Sequence, residues 1–114
     1  MTLIFKIVPR AMWQEAIEAG EFKGAPVDLA DGFIHFSDAG QVRETAGKHF
    51  AGQADLLLAA FDAESFGEAL KWEVSRGGAF FPHLYAVLDP KSALWVKDLP
   101  LGDDGQHVFP ELDR

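Results

Sequence analysis

Hydrophobic and polar positions at the start of the chain follow the pattern of a β-strand and then that of a helix. Residues 3–8, LIFKIV, are apolar at nearly every position, which predicts a central strand covered on both faces. Lys6 is the one polar residue in this run. Residues 9–19 carry apolar side chains at helical spacing, with a proline suited to the first turn. The helix is predicted to end before Gly20.

A loop, a short strand and a second helix are predicted next. Residues 20–32 are rich in glycine, proline and aspartate, which is typical of a loop. The run FIHF at 33–36 predicts a strand. Ser37 and Asp38 are candidate N-caps of a second helix, whose apolar residues recur at every fourth position. This helix is predicted to pack one face on a sheet and to end at Gly52.

The second half of the chain is predicted to form strands. The runs DLLLAAFD, ALKWEVS, LYAVLD and ALWVKDLPL are separated by segments typical of turns. Helices confined to the first half, followed by several strands, indicate an α+β fold with a mixed, largely antiparallel sheet. Residues 1–114 are predicted to form a single domain, because no low-complexity linker divides them. The glycine-rich turn of a dinucleotide-binding Rossmann unit is absent from the sequence.

The composition narrows the classes of partner. The 10 basic and 18 acidic side chains give a net charge of −8, which repels nucleic-acid phosphates and anionic lipids. We therefore expect neither nucleic acid nor a membrane as a partner. The chain has no cysteine, which rules out disulfides and thiolate nucleophiles. A cytoplasmic location is the default expectation, because no apolar run is long enough to span a bilayer.

Strand alternation sorts the polar residues of two segments by face. In DGFIHFS, His35 and Ser37 share a face with Phe33, a mixture that is typical of a cleft wall. The alternative is a purely structural role, in which His35 is buried and hydrogen-bonded to the backbone and Ser37 caps the helix. In LKWEVS, we expect Trp72 and its alternate neighbours to face the core and Glu73 to face outward.

The segment that follows Glu73 combines several residue types that suit ligand binding. Arg76 precedes two glycines, and an arginine can hold a carboxylate or phosphate in a bidentate manner. Pro82 sets the backbone beside His83, and Tyr85 shares the face of His83 if a strand begins there. An ordinary turn leading into a strand is the competing interpretation.

Other kinds of site have little support in the sequence. The four histidines show neither the HxH nor the HxxxH spacing that marks metal ligands, so no metal site is predicted. No serine lies in a GxSxG elbow, and acyl-enzyme chemistry has no visible nucleophile.

The motifs IFKIV, DGFIHFS, TAGKHFAG, LLLAAFD, LKWEVSRGG and FPHLY, in that order, resemble the family known as domain of unknown function 952. That family is similar at the level of the fold to ADP-ribosyltransferases, whose split sheet binds NAD in a central cleft. The resemblance therefore implies an ADP-ribosyltransferase-like fold, with NAD as the candidate cofactor.

The same resemblance implies roles for individual residues. His35 matches the early-strand position that holds a ribose, and Glu73 is the candidate for the late acid that stabilises the ribosyl centre. The sorting of strand faces, rather than the resemblance, adds Lys6 or Arg76 as the residue that would bind a phosphate, and Phe33, Phe81 or Tyr85 as the ring that would stack on a base. In chain order Tyr85 follows Glu73 rather than preceding it, so the middle element of the family pattern is unmatched.

Three functional hypotheses follow. The first is a cleft lined by histidine, glutamate and arginine that binds a nucleotide or another small anionic ligand. The second is an active NAD-dependent enzyme of the ADP-ribosyltransferase kind, with His35 and Glu73 as catalytic residues and Lys6, Ser37, Arg76, His83 and Tyr85 in ligand binding. The third is a non-catalytic protein that self-associates, since ten Phe and three Trp in 114 residues exceed what a small core hides. Either a monomer or a homodimer is expected.

Overall fold

A computed structural model of the chain describes residues 1–112, with the side chain of Arg76 outside that description. Its α-helices are α1 (Arg10–Ala19), α2 (Pro26–Asp31) and α3 (Val42–His49). Its strands are β1 (Leu3–Pro9), β2 (Ile34–His35), β3 (Ser37–Asp38), β4 (Leu56–Asp62), β5 (Leu70–Val74), β6 (Phe80–Leu84) and β7 (Trp95–Leu99). The α+β class and the position of the α-helices in the first half are confirmed.

The strands form two sheets, and every strand pairing among the described residues is antiparallel. The larger sheet has the order β3-β1-β4-β7, and the smaller one has the order β2-β6-β5. The sequence predicted one mixed, largely antiparallel sheet. Which strands pair depends on contacts between distant segments, and local alternation carries no information about them.

Both faces of the larger sheet are covered, as the apolar run of β1 predicted. One face packs on α1 and the smaller sheet through a core that includes Ile4, Trp13 and Phe61. The other face packs on α3 through Phe5 and Val42. The side chain of Lys6 points toward the first face and is buried with it.

The helix prediction holds at α1, holds only in part at α3, which begins at Val42 because Ser37 and Asp38 pair with β1 as β3, and fails between them. Helix α1 ends at Gly20, whose φ of 80° places it in the left-handed region that glycine favours. The segment 20–32 was predicted as a loop, yet it contains α2. The physical reason is local: Pro26 occupies the first turn, and the Asp28 carboxylate accepts the backbone N–H of Ala25 at 2.7 Å.

Two strand predictions in the second half were wrong in detail. The run LYAVLD at 84–89 was predicted as a strand, but β6 ends at Leu84, and beyond it Leu88 forms only an isolated bridge to Phe22. The alternation of β5 was right but its orientation was not, since Trp72 and Val74 are exposed. Alternation shows which residues share a face, and the packing of other elements decides which face is covered.

Candidate functional site

The two strand histidines are brought together by the register of the smaller sheet. His35 on β2 is directly opposite His83 on β6, and their ring centroids are 5.4 Å apart. Phe33 contacts both rings, with centroid distances of 4.6 Å to His35 and 4.0 Å to His83. Both imidazoles line the same cavity.

This cavity has a volume of about 560 Å³ and lies between β1, β6 and the helices α2 and α3. That volume is within the range of small-molecule sites. Its wall is mainly apolar, with a few polar side chains. The polar side chains that line it are Lys6, Asp31, His35, Ser37, Thr45, His49, Ser75 and His83.

Asp28 supports the site from inside the protein, and sequence analysis missed it. The residue is 1% exposed, and its carboxylate accepts from the Lys6 Nζ at 2.9 and 3.1 Å. It also accepts the backbone N–H of His35 at 3.0 Å and the His35 Nδ1 at 2.7 Å. The local signal that was available is a proline followed two residues later by aspartate, a pattern typical of a helix N-terminus.

The electrostatics of Asp28 depend on its donors. Burial by itself would raise the pKa of this carboxyl, but the hydrogen bonds from His35 and the charge of Lys6 outweigh burial and lower the pKa to about 2. Burial lowers the pKa of Lys6, and the Asp28 carboxylate opposes that effect. Lys6 also donates to the His35 carbonyl at 2.9 Å, so its ammonium is saturated by protein groups.

The two imidazoles differ in how many of their ring nitrogens are hydrogen-bonded. In His35, Nδ1 faces Asp28 and Nε2 lies 2.9 Å from an Asp31 carboxylate oxygen, so both ring nitrogens are engaged. In His83, Nδ1 donates to Glu73 Oε1 at 2.9 Å, whereas Nε2 has no hydrogen-bond partner among residues 1–112. His83 is 4% exposed as a residue and lines the cavity, so a molecule in the cavity could reach Nε2.

Glu73 and Tyr85 form the outer support of His83. The Tyr85 hydroxyl donates to Glu73 Oε1 at 2.7 Å, so this one oxygen accepts from two residues. The hydrogen bonds from Tyr85 and from His83 lower the pKa of Glu73, and the bond to Glu73 raises the pKa of Tyr85. Neither Glu73 nor Tyr85 is among the residues that line the cavity.

Two predicted site residues remain, Ser37 and Arg76. The Thr45 hydroxyl donates to the Gln41 carbonyl at 3.1 Å, so the Ser37 hydroxyl is the donor in the 2.9 Å bond between Ser37 and Thr45. Ser37 lies on β3 and lines the cavity, and it does not cap α3. The Arg76 side chain lies outside the described part of the chain.

Two further properties of the described chain bear on its chemistry. Among residues 1–112, the histidines and carboxylates form no group of three or more that could hold a metal ion. In the same residues, no helix has the length and apolar content needed to cross a bilayer.

Comparison with known proteins gives a family and a solved relative. The model of the family described as "Protein of unknown function (DUF952)" matches residues 7–96. The crystal structure of protein CC0527 from Caulobacter crescentus is similar at a TM-score of 0.90, with 54% identity over 94% of each chain. Its solution NMR structure gives a TM-score of 0.84 and 56% identity over 93% of this chain and 91% of that chain. Among curated proteins, no sequence matches.

The Asp28 network generates a prediction about acid stability. The pKa of this carboxyl is lowered from 3.8 to about 2 on folding. A lowered pKa stabilises the fold above pH 4, and the contribution of roughly 2 kcal/mol is lost as the pH falls from about 4 to about 2. We expect Asp28→Asn to lose less unfolding free energy than the wild type over that interval, measured by urea denaturation at each pH.

At neutral pH the same substitution leaves the Lys6 ammonium buried without its partner and should cost about 3–5 kcal/mol. The double variant Lys6→Met, Asp28→Asn removes the unpaired charge, so it should be more stable than Asp28→Asn alone. Parallel pH curves for the wild type and Asp28→Asn, or a double variant less stable than the single one, would contradict this account.

Proposed function

The chain belongs to the DUF952 family of proteins of unknown function, and we propose that its cavity binds the nucleoside part of a small nucleotide. The observation that supports this proposal is that His83 lines the cavity with its Nδ1 held by Glu73, while its Nε2 has no hydrogen-bond partner among residues 1–112. A ligand in the cavity can supply the hydrogen bond that this ring nitrogen lacks.

The hydrogen bond between His83 and Glu73 determines that the ligand must supply a hydrogen-bond donor. The Glu73 carboxylate accepts the Nδ1 proton, so whenever the ring is neutral, Nε2 carries the lone pair that faces the cavity. An acceptor of this kind binds a hydroxyl or an amide N–H. Ribose hydroxyls and the exocyclic amines of bases are such donors. The Ser37 hydroxyl, with its proton directed to Thr45, is a second acceptor on the same wall.

The charge and surface of the cavity support an uncharged ring system rather than an isolated anion. Lys6 is the one lysine or arginine among the described side chains of the wall, and Asp28 neutralises it within the fold. Aromatic rings supply flat apolar surface on which a base can pack. The phenylalanines that line the cavity are Phe5, Phe36, Phe50 and Phe81.

A binding experiment with nucleosides tests this proposal. Adenosine at 100 times its dissociation constant should stabilise the wild type by about 2.7 kcal/mol in thermal unfolding. His83→Ala should weaken adenosine binding about tenfold in calorimetry, because one hydrogen bond is lost. His107→Ala is the matched control, since His107 does not line the cavity and bonds the Gln53 carbonyl.

Deoxynucleosides identify the hydroxyl. If Nε2 accepts from a ribose hydroxyl, either 2′-deoxyadenosine or 3′-deoxyadenosine should bind more weakly than adenosine to the wild type. The same deoxynucleoside and adenosine should bind His83→Ala with equal affinity. Failure of adenosine, nicotinamide riboside and ADP-ribose to bind the wild type would reject the proposal.

The nucleotide's phosphate is assigned to Arg76 on sequence grounds. Arg76 directly follows Ser75, which lines the cavity. We expect AMP to bind the wild type more tightly than adenosine, and Arg76→Ala to remove that preference while leaving adenosine binding unchanged. Arg43→Ala is the control, because the Arg43 guanidinium lies over the Phe109 ring and outside the cavity wall. Equal binding of AMP and adenosine to the wild type would remove Arg76 from the site.

A second candidate function is cleavage of NAD by a fold of the ADP-ribosyltransferase kind. The family resemblance assigns roles to His35 and Glu73. Their neighbourhood favours this candidate, because the Phe33 ring contacts His35 and Tyr85, and the Tyr85 hydroxyl donates to Glu73. Breaking the bond between ribose and nicotinamide leaves the electron pair on nicotinamide and positive charge on the sugar, which a carboxylate stabilises. Water then adds to the sugar and releases a proton.

Release of free nicotinamide from NAD tests this second candidate. If the chain cleaves NAD, Glu73→Gln should lower the rate by roughly a hundredfold or more, because the fixed negative charge is lost. Glu68→Gln, on an exposed turn, should leave the rate unchanged. Absence of turnover in a wild-type protein that binds NAD would reject the enzyme and leave the binding proposal in place.

A further inference from the structure

Strand β5 lies at the edge of the smaller sheet, and its backbone presents unpaired groups to the outside. The Tyr85 N–H donates to the Ala69 carbonyl and the Ser75 N–H to the Ala79 carbonyl, so the odd-numbered residues of this segment point toward β6. Backbone direction alternates along a strand. The N–H and C=O groups of Trp72 and Val74 therefore point away from every strand that the structure describes.

The same edge carries exposed apolar side chains. Trp72 is 40% exposed, Val74 is 61% exposed, and Phe80, which pairs with Val74 in the β5–β6 register, is 59% exposed. They share their sheet face with Leu84, which is buried in the core. The apolar face of the smaller sheet thus continues past the core to an edge that no described element covers.

We propose that a second copy of this chain binds along β5 in antiparallel orientation, with a two-fold axis at Trp72. The two smaller sheets would then form one continuous six-stranded sheet. Each Trp72 would exchange two backbone hydrogen bonds with Trp72 of the partner subunit. Each Val74 N–H would donate to the carbonyl of Leu70 of the partner subunit. The Leu70 N–H is already bonded to the Gly67 carbonyl, so it takes no part.

Charge decides both the register and the identity of the partner. Two-fold pairing centred on Trp72 places Lys71 opposite Glu73 of the partner subunit, twice in each dimer. These residues form non-hydrogen-bonded pairs, in which side chains approach most closely. A register centred on Lys71 or on Glu73 would instead place like charges directly opposite each other. The edge is therefore complementary to itself in one register, which favours a second copy over an unrelated strand.

Analytical ultracentrifugation over a range of concentrations tests the proposal. The wild type should show a concentration-dependent dimer. Lys71→Glu places glutamates opposite each other at two positions and should raise the dimer dissociation constant about tenfold or more. The double variant Lys71→Glu, Glu73→Lys restores opposite charges and should recover association. Lys91→Glu makes the same charge change outside β5 and should leave association unchanged.

A backbone variant provides an independent test that leaves Glu73 intact. Val74→Pro removes an N–H that points away from the sheet, so the fold should tolerate it while the bond to the partner is lost. We expect Val74→Pro to remain folded by circular dichroism and to sediment as a monomer. A wild type that stays monomeric up to about 1 mM, or a dimer unaffected by both Lys71→Glu and Val74→Pro, would overturn the proposal.

Discussion

The buried carboxylate of Asp28 is the interaction on which the site depends. It binds the Lys6 ammonium of β1, the backbone and ring of His35 on β2, and the N-terminus of its own helix α2. A buried charge is tolerated only when it is paired and hydrogen-bonded, so these elements are fixed relative to one another. The cavity beside His35 and His83 has its shape because α2 is held against β1 in this way.

The same network makes the two neighbouring histidines chemically different. His35 is enclosed by Asp28 and Asp31, which occupy both of its ring nitrogens. His83 is held on one side only, by Glu73. Strand register brings the two rings together, but their hydrogen-bond partners differ. His35 is held on both sides and supports the cavity wall, whereas His83 has one ring nitrogen that could bind a ligand. The family resemblance gives ribose binding to His35, but both nitrogens of that ring are already bonded. The ring nitrogen without a partner among residues 1–112 is Nε2 of His83.

Periodicity was sufficient where packing is decided locally. The apolar run of β1, the helical spacing of α1 and α3, and the alternation that buries Ile34 and Phe36 were all predictable from the sequence. Helix α2 was missed because six residues are too few for a periodic signal. Besides its local cap, α2 is held by Lys6, which lies 22 positions from Asp28 in the chain.

The orientation of β5 could not be predicted for a related reason. Alternating residues such as Trp72 and Glu73 define two faces of a strand, but only the neighbouring elements show which face is covered. Trp72 is the apolar residue that a core would ordinarily take, yet the core ends before it reaches this edge. Only the assembled fold therefore shows that the apolar face of β5 is exposed.

Glu73 connects the two proposals physically. Its Oε1 holds His83 and Tyr85, and its side chain lies on the strand whose outer edge would meet a second copy. A lysine of the partner subunit would lie beside the same carboxylate that accepts the Nδ1 proton of His83. Because linkage is reciprocal, any gain in ligand affinity on dimerisation would equal a gain in dimer stability on ligand binding. If both proposals hold, Glu73 is the residue through which the cavity and the dimer edge would influence each other.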